Sequence, residues 1–311
     1  MQRSPWMVAA ALGGVMIASL GCATNSGSSG SGRRVTQLSF ETPEDALAAL
    51  KYLAQTRDRE YGQSLFGPEA DELSSGDPDV DEYEKSLLAA AVARRHDLRR
   101  NADGSIDIIV GENAVEFPVP LVQHEGRWLF DSPAGVDRMR DIRVGYYELK
   151  TLEAMRVVPV AQREFRSVDR DGDGVLEYAR FFTSSQGGRD GLYWPTGPGE
   201  PNSPLGSFFA DSEIPRSKEL GFNGYFYKML TAQGPSAPGG AKSFMDGSGN
   251  LVDGFAVLAY PAVYGETAIM TFQMGPDGIV YEKDLGSRAT RNAGKAITAF
   301  DPGSGWTQTN D

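Results

Sequence analysis

The spacing of apolar residues changes period twice along this chain, each time from helix-like to strand-like. Thr42-Pro43-Glu44-Asp45 reads as a helix start: a hydroxyl N-cap, proline in the first turn and carboxylates at the positive end of the dipole. Ala46, Leu47, Leu50, Leu53 and Ala54 follow at helical spacing and predict its buried stripe. After the break SSGDPDVDEY, Val80, Tyr83, Leu87, Leu88, Ala91 and Val92 repeat the pattern. Alternation then takes over at Ile106 to Val110, at Val115, Phe117 and Val119, and at Trp128 and Phe130 behind the turn His124 to Arg127. Three short strands joined by Gly-containing turns make an antiparallel sheet. Pro118 and Pro120 lack the donor a central strand needs, which places that strand at an edge or a bulge.

The second half repeats this order. A helix is expected from Tyr146 to Phe165, with Leu149, Leu152, Ala154, Met155, Val158 and Phe165 on one face and Pro159 marking a kink or a new first turn. A Gly/Pro-rich stretch from Gly187 to Pro215 precedes strand-like runs at Gly224–Leu230, Gly254–Tyr260, Ala268–Met274 and Gly278–Glu282. A chain of 311 residues, 40% hydrophobic, can fill two cores. The expectation is an α+β fold in two units, 35–143 and 144–311. Helices followed by a curled antiparallel sheet make the first unit similar to the cone of nuclear-transport-factor-like folds, a likeness of pattern that carries no function.

MQRSPWMVAAALGGVMIASLGC opens the chain: one cationic residue, an apolar run from Met7 to Leu20, then small residues before Cys22. This is the layout of an export signal over 1–21, and the run is short for a membrane span. Cys22 is the only cysteine, which rules out an internal disulfide and a thiolate cluster. Ser-Leu-Gly-Cys resembles the lipobox of bacterial lipoproteins, where the thiol is diacylated; Ser19 stands where those motifs carry a branched apolar residue. The following Gly/Ser-rich stretch to Arg34 reads as a flexible tether. Ala23 after the cysteine resembles lipoproteins sorted to an outer membrane, so the expected place is the envelope, anchored through Cys22. A net charge of −12 repels phosphate backbones and excludes nucleic acid as a natural partner.

The stretch DRDGDGVLEYAR has the spacing of a calcium loop. Asp169, Asp171 and Asp173 recur at every second residue, Gly174 permits the sharp turn, Val175 offers its carbonyl, and Glu177 falls at the ninth position. Arg180 stands at the twelfth, where an EF-hand has its bidentate glutamate. All-oxygen donors favour calcium over zinc, in a structural role. The competing reading is a solvated acidic turn.

Catalytic signatures are sparse. His96 and His124 are the only histidines, and neither lies at zinc spacing or beside a nucleophile elbow. The expectation is a protein without catalysis. Tyr193, Trp194, Tyr225, Tyr227 and Tyr264 form the candidate binding surface, able to stack on sugar rings of a glycan or to receive an envelope protein; the alternative is that alternate rings fill a core. A carboxylate-dependent hydrolase of glycan or peptidoglycan also stays open.

RDGLYWP, GYFYKMLTAQGPSAPGGA, FAVLAYPAVYGETAIMTF and GIVYEKDLG, together with TPEDAL, SSGDP, FPVPLV and DGDGVLEYA, resemble the bacterial family catalogued as domain of unknown function 2950. The resemblance covers nearly the whole chain after the signal and implies export, with no activity attached. The second half is also loosely similar to the globular heads of pilin-like proteins, which implies an accessory assembly role, although the apolar assembly helix of pilins has no counterpart here beyond the signal.

Overall fold

The computed structural model describes residues 37–74, 78–197, 199–210 and 220–309. The export segment, Cys22, the tether and the side chains of Val80 and Tyr83 lie outside them. The chain divides into two compact units, one ending at Tyr146 and one beginning at Tyr147. Both mix helix with antiparallel sheet, so the fold is α+β.

In the first unit, α1 (Pro43–Thr56) begins on a reciprocal cap: Thr42 Oγ1 accepts from the Asp45 backbone and Asp45 Oδ2 accepts from the Thr42 backbone, each at 3.2 Å. Ala46, Ala49, Leu50, Leu53 and Ala54 are its buried stripe. A short helix α2 (Arg59–Phe66) and a 3-10 segment (Gly67–Leu73) follow, and α3 (Pro78–Arg94) buries Leu88, Ala91 and Val92.

The sheet has five strands where the alternation predicts three: β1 (His96–Arg100), β2 (Ile106–Val110), β3 (Val115–Glu116), β4 (Leu121–His124) and β5 (Arg127–Phe130), in the order β1-β2-β4-β5 with β3 on β2. Strand β1 escapes notice because HDLRR carries a single aliphatic residue, as suits a charged edge. Phe66, Phe117 and Phe130 centre the core, with Phe130 meeting the other two rings edge-on at 5.2 and 6.4 Å. Each buried ring contributes about 2 kcal/mol of burial free energy.

The helix expected from Tyr146 begins fourteen residues earlier, as α4 (Ser132–Arg166), and runs unbroken through Pro159. Asp131 caps it, its carboxylate accepting from the Ala134 N–H at 3.2 Å. Gly135 obscures the helical pattern, yet a Cβ there would lie 2.7 Å from Val119, so close approach requires it. Pro159 costs one ladder bond, which the burial of Met155, Val158, Ala161 and Gln162 around it outweighs. Leu149, expected on the buried face, is 49% exposed.

In the second unit β6 (Phe181–Thr183) and β7 (Gly191–Tyr193) pair in parallel, and α5 (Gly206–Ala210) follows. Strands β8 (Tyr225–Leu230), β9 (Ala232–Gln233), β10 (Lys242–Ser243), β11 (Ala256–Pro261), β12 (Met270–Met274), β13 (Val280–Asp284) and β14 (Thr307–Gln308) come next. The meander has the order β14-β13-β12-β11-β8, which leaves β8 at an edge. Tyr227 and Met229 face α4, through Thr151 and Gln162. The opposite face meets α6 (Gly286–Thr290) and α7 (Ala293–Ala296), where Lys228 Nζ donates to the Gly294 and Ile297 carbonyls at 2.8 and 3.0 Å.

Candidate functional site

The acidic loop follows α4 directly. Asp169 Oδ1 accepts from the Gly172 N–H at 2.8 Å and Oδ2 from the Gly174 N–H at 3.0 Å; Asp173 Oδ1 accepts from the Val175 N–H at 2.7 Å. Gly172 and Gly174 take φ of +81° and +87°, a left-handed bend that side-chain-bearing residues resist. The loop thereby gathers carboxylate oxygens of Asp169, Asp171 and Asp173 within 4.8 Å of one another at the surface. The backbone bonds from Gly172 and Gly174 hold the Asp169 carboxyl below its ordinary range. Burial raises Glu177, and the charges of Asp171 and Asp173 push it the same way.

A second loop meets the first: Asn250 Nδ2 donates to Asp173 Oδ2 at 2.8 Å, the Leu251 N–H to Glu177 Oε2 at 3.3 Å, and the Tyr178 N–H to the Leu251 carbonyl at 2.8 Å. The donor set of Asp169, Asp171, Asp173 and Glu177 is all oxygen and crowded with negative charge, which suits a hard divalent cation. Val175 is half-buried beside it.

Arg180, at the loop's twelfth position, instead lines a cavity of about 720 Å³ in the second unit. Gln162 fixes its backbone. The buried amide of Gln162 accepts from the Ala179 N–H at 2.8 Å and donates to the Ala179 carbonyl at 3.1 Å, as a neighbouring strand would. Phe182 then stacks on Tyr227, centroids 4.5 Å apart and planes at 16°. Tyr193, Tyr225 and Tyr227 line this cavity together with Phe222 and Phe226.

Tyr225 and Tyr227 are anchored by their hydroxyls, which donate to the Met270 carbonyl at 2.7 Å and to Thr151 Oγ1 at 3.1 Å. Burial pushes both phenols well above their ordinary value, so each stays a donor at physiological pH. The two remaining candidates sit elsewhere. Trp194 is only 8% exposed, has the guanidinium groups of Arg170 and Arg189 at 5.3 and 5.8 Å from its ring, and leaves Nε1 without a hydrogen-bond partner among the described residues. Tyr264 donates to Asp284 at 3.0 Å. Reading the sequence missed Arg180, Phe182, Phe222 and Gln162; the adjacent pair Phe181-Phe182 behind the acidic loop was the available signal.

The histidines serve other contacts. His96 Nε2 lies 3.1 Å from Lys51 Nζ and its Nδ1 lies 3.0 Å from the Val92 carbonyl, so the ammonium and the carbonyl select the Nδ1–H tautomer. His124 is exposed, 3.9 Å from Glu125. Glu148 of α4 and Glu282 of β13 form a carboxylate pair: burial and then the charge of Glu148 raise the Glu282 carboxyl, and neither residue lines the cavity.

Fold and site define an α+β protein whose second unit carries an acidic loop beside an aromatic cavity. The family model described as protein of unknown function (DUF2950) matches residues 37–309, and the chain belongs to that family. No curated protein and no solved structure matches it. No helix among the described residues is long and apolar enough to cross a membrane.

Proposed function

We propose that this chain is an exported envelope lipoprotein, held by a lipid on Cys22, that binds a glycan without catalysis and is stabilised by calcium at the 169–177 loop. The observation that carries the reading is the cavity, whose rings are anchored by their own hydroxyls and by stacking rather than left loose. A volume of about 720 Å³ lies within the range of small-molecule sites. Pre-positioned aromatic faces stack on sugar rings with little ordering cost. Calcium would be held by Asp169, Asp171, Asp173 and Glu177, and would offset their mutual repulsion where the 246–251 loop meets the acidic loop.

Titration with soluble peptidoglycan fragments, read by intrinsic fluorescence, tests the binding. Saturable quenching that Tyr193→Ala weakens supports it; a flat titration in the presence of calcium sinks it. Separate readouts address the other two parts. Calcium should raise Tm by several degrees over chelator, a gain of about 1 kcal/mol or more, and Asp171→Ala should remove that difference. Cys22→Ser should move the protein from the membrane fraction to the soluble one.

A further inference from the structure

The edge of β8 leaves a gap in its hydrogen bonding, and the gap faces the cavity. In the antiparallel register with β11, the Gly224 carbonyl accepts from the Ala262 N–H at 2.9 Å, so the backbone groups of even-numbered residues of β8 face β11 and those of odd-numbered ones face outward. Outward groups at the two ends are satisfied: Tyr225 exchanges both bonds with Phe222, and the Thr231 carbonyl accepts from Phe244. Between them, the backbone N–H and C=O groups of Tyr227 and Met229 have no partner among the described residues. Both residues line the cavity, and Met229 is only 5% exposed. The free donors and acceptors of an edge strand pair with an added amide, so the cavity presents an amide-binding strip.

Charge supplies the second constraint. The protein has 42 acidic against 30 basic side chains, yet the described lining of the cavity contains Arg180 and Lys228 and no carboxylate. Lys228 is committed to two carbonyls. Arg180 is exposed and makes no hydrogen bond or ion pair among the described residues. A guanidinium free at the rim of such a lining selects an anion, and a carboxylate matches its paired donors.

Resting on the glycan reading above, we infer that the site takes an N-acylated sugar acid. Its acylamino group pairs with the Tyr227 and Met229 backbone, its ring lies against the aromatic wall, and its carboxylate meets Arg180. An acidic peptide shares the amide and the acid; a volume of about 720 Å³ lined by the half-buried rings of Tyr193, Phe226 and Tyr227 favours the sugar.

Calorimetric titration of the whole protein in calcium, with N-acetylmuramic acid, N-acetylglucosamine, muramic acid and an acetylated glutamyl dipeptide, separates the possibilities. N-acetylmuramic acid should bind at least about tenfold more tightly than either the sugar without the carboxylate or the one without the acyl group. Arg180→Gln, at an exposed position, should keep the melting temperature and reduce N-acetylmuramic acid to the affinity of N-acetylglucosamine. Equal affinities for the sugars, or a preference unchanged in Arg180→Gln, overturn the inference while leaving glycan binding standing. Tighter binding of the dipeptide overturns it in favour of a peptide ligand. If none of the four binds and peptidoglycan fragments also fail, both readings fall together.

Discussion

Two places, one in each unit, treat buried polar groups differently. In the first, Asp107 sits on β2 with its side chain 4% exposed, and its oxygens take bonds from Asn101 at 2.8 Å and from Arg99 and Arg138 at 3.0 Å each. In the second, Trp194 Nε1, Ser203 Oγ, Thr271 Oγ1 and Thr290 Oγ1 are enclosed without hydrogen-bond partners among the described residues, and two backbone amides of β8 face a cavity. Satisfied burial fixes a fold, whereas unsatisfied burial is tolerated where stability is exchanged for a site. The comparison separates a polar residue that holds the architecture from the β8 edge, whose free groups are open to a ligand.

The comparison breaks most sharply at Asp107. Asp107→Ala strips two guanidinium groups and an amide of their shared acceptor, and should cost about 3 kcal/mol in urea unfolding, the low end for a broken buried pair because both arginines keep contact with water. Ligand binding in the second unit should be unaffected. The pH dependence sharpens the point. Burial opposes the charge on Asp107, but the bonds from Asn101, Arg138 and Arg99 prevail and hold its carboxyl below the ordinary 3.8. A depressed folded value contributes stability above that pH and loses it as the pH falls through the folded value. Wild type should therefore lose stability below about pH 4 more steeply than Asp107→Ala. Parallel acid profiles would remove Asp107 from the architectural side.

A smaller effect is expected at Gln162, which belongs to both sides. Gln162→Ala leaves the Ala179 N–H and C=O unpaired and should cost about 2 kcal/mol. Because that bond pair sets the chain before Arg180, the variant should also weaken ligand binding at temperatures where it remains folded. Loss of stability with unchanged affinity would show that Gln162 supports the fold alone.

How much of this was legible follows from locality. The α1 cap, four of the five meander strands and the acidic loop are written in consecutive residues, so spacing suffices to find them; the two-residue β14 is too short to show a period. The front of α4 was not, because Gly135 and Gly145 interrupt its pattern for reasons that include a contact with Val119. The cavity was legible only in part. Tyr193, Tyr225 and Tyr227 stood out as aromatics, but the segments from Arg180 and from Gly221 that surround them are joined by Gln162 and by the edge position of β8, which no local pattern encodes.

The smallest effect is the most discriminating. Trp194→Phe removes an indole N–H that has no acceptor and keeps an aromatic face for Arg170 and Arg189. Lost cation–π attraction and lost ring volume destabilise, whereas removal of an unpaired buried donor stabilises, each by about 1 kcal/mol. The two should nearly cancel, leaving the urea midpoint within about 1 kcal/mol of wild type. A loss of about 3 kcal/mol or more, of the size that core truncations cause, would mean that Nε1 is satisfied by ordered water and that Trp194 belongs with Asp107 on the architectural side. A neutral result keeps the contrast between the units intact and leaves Tyr193, its neighbour in sequence, as the aromatic whose removal is felt in binding rather than in folding.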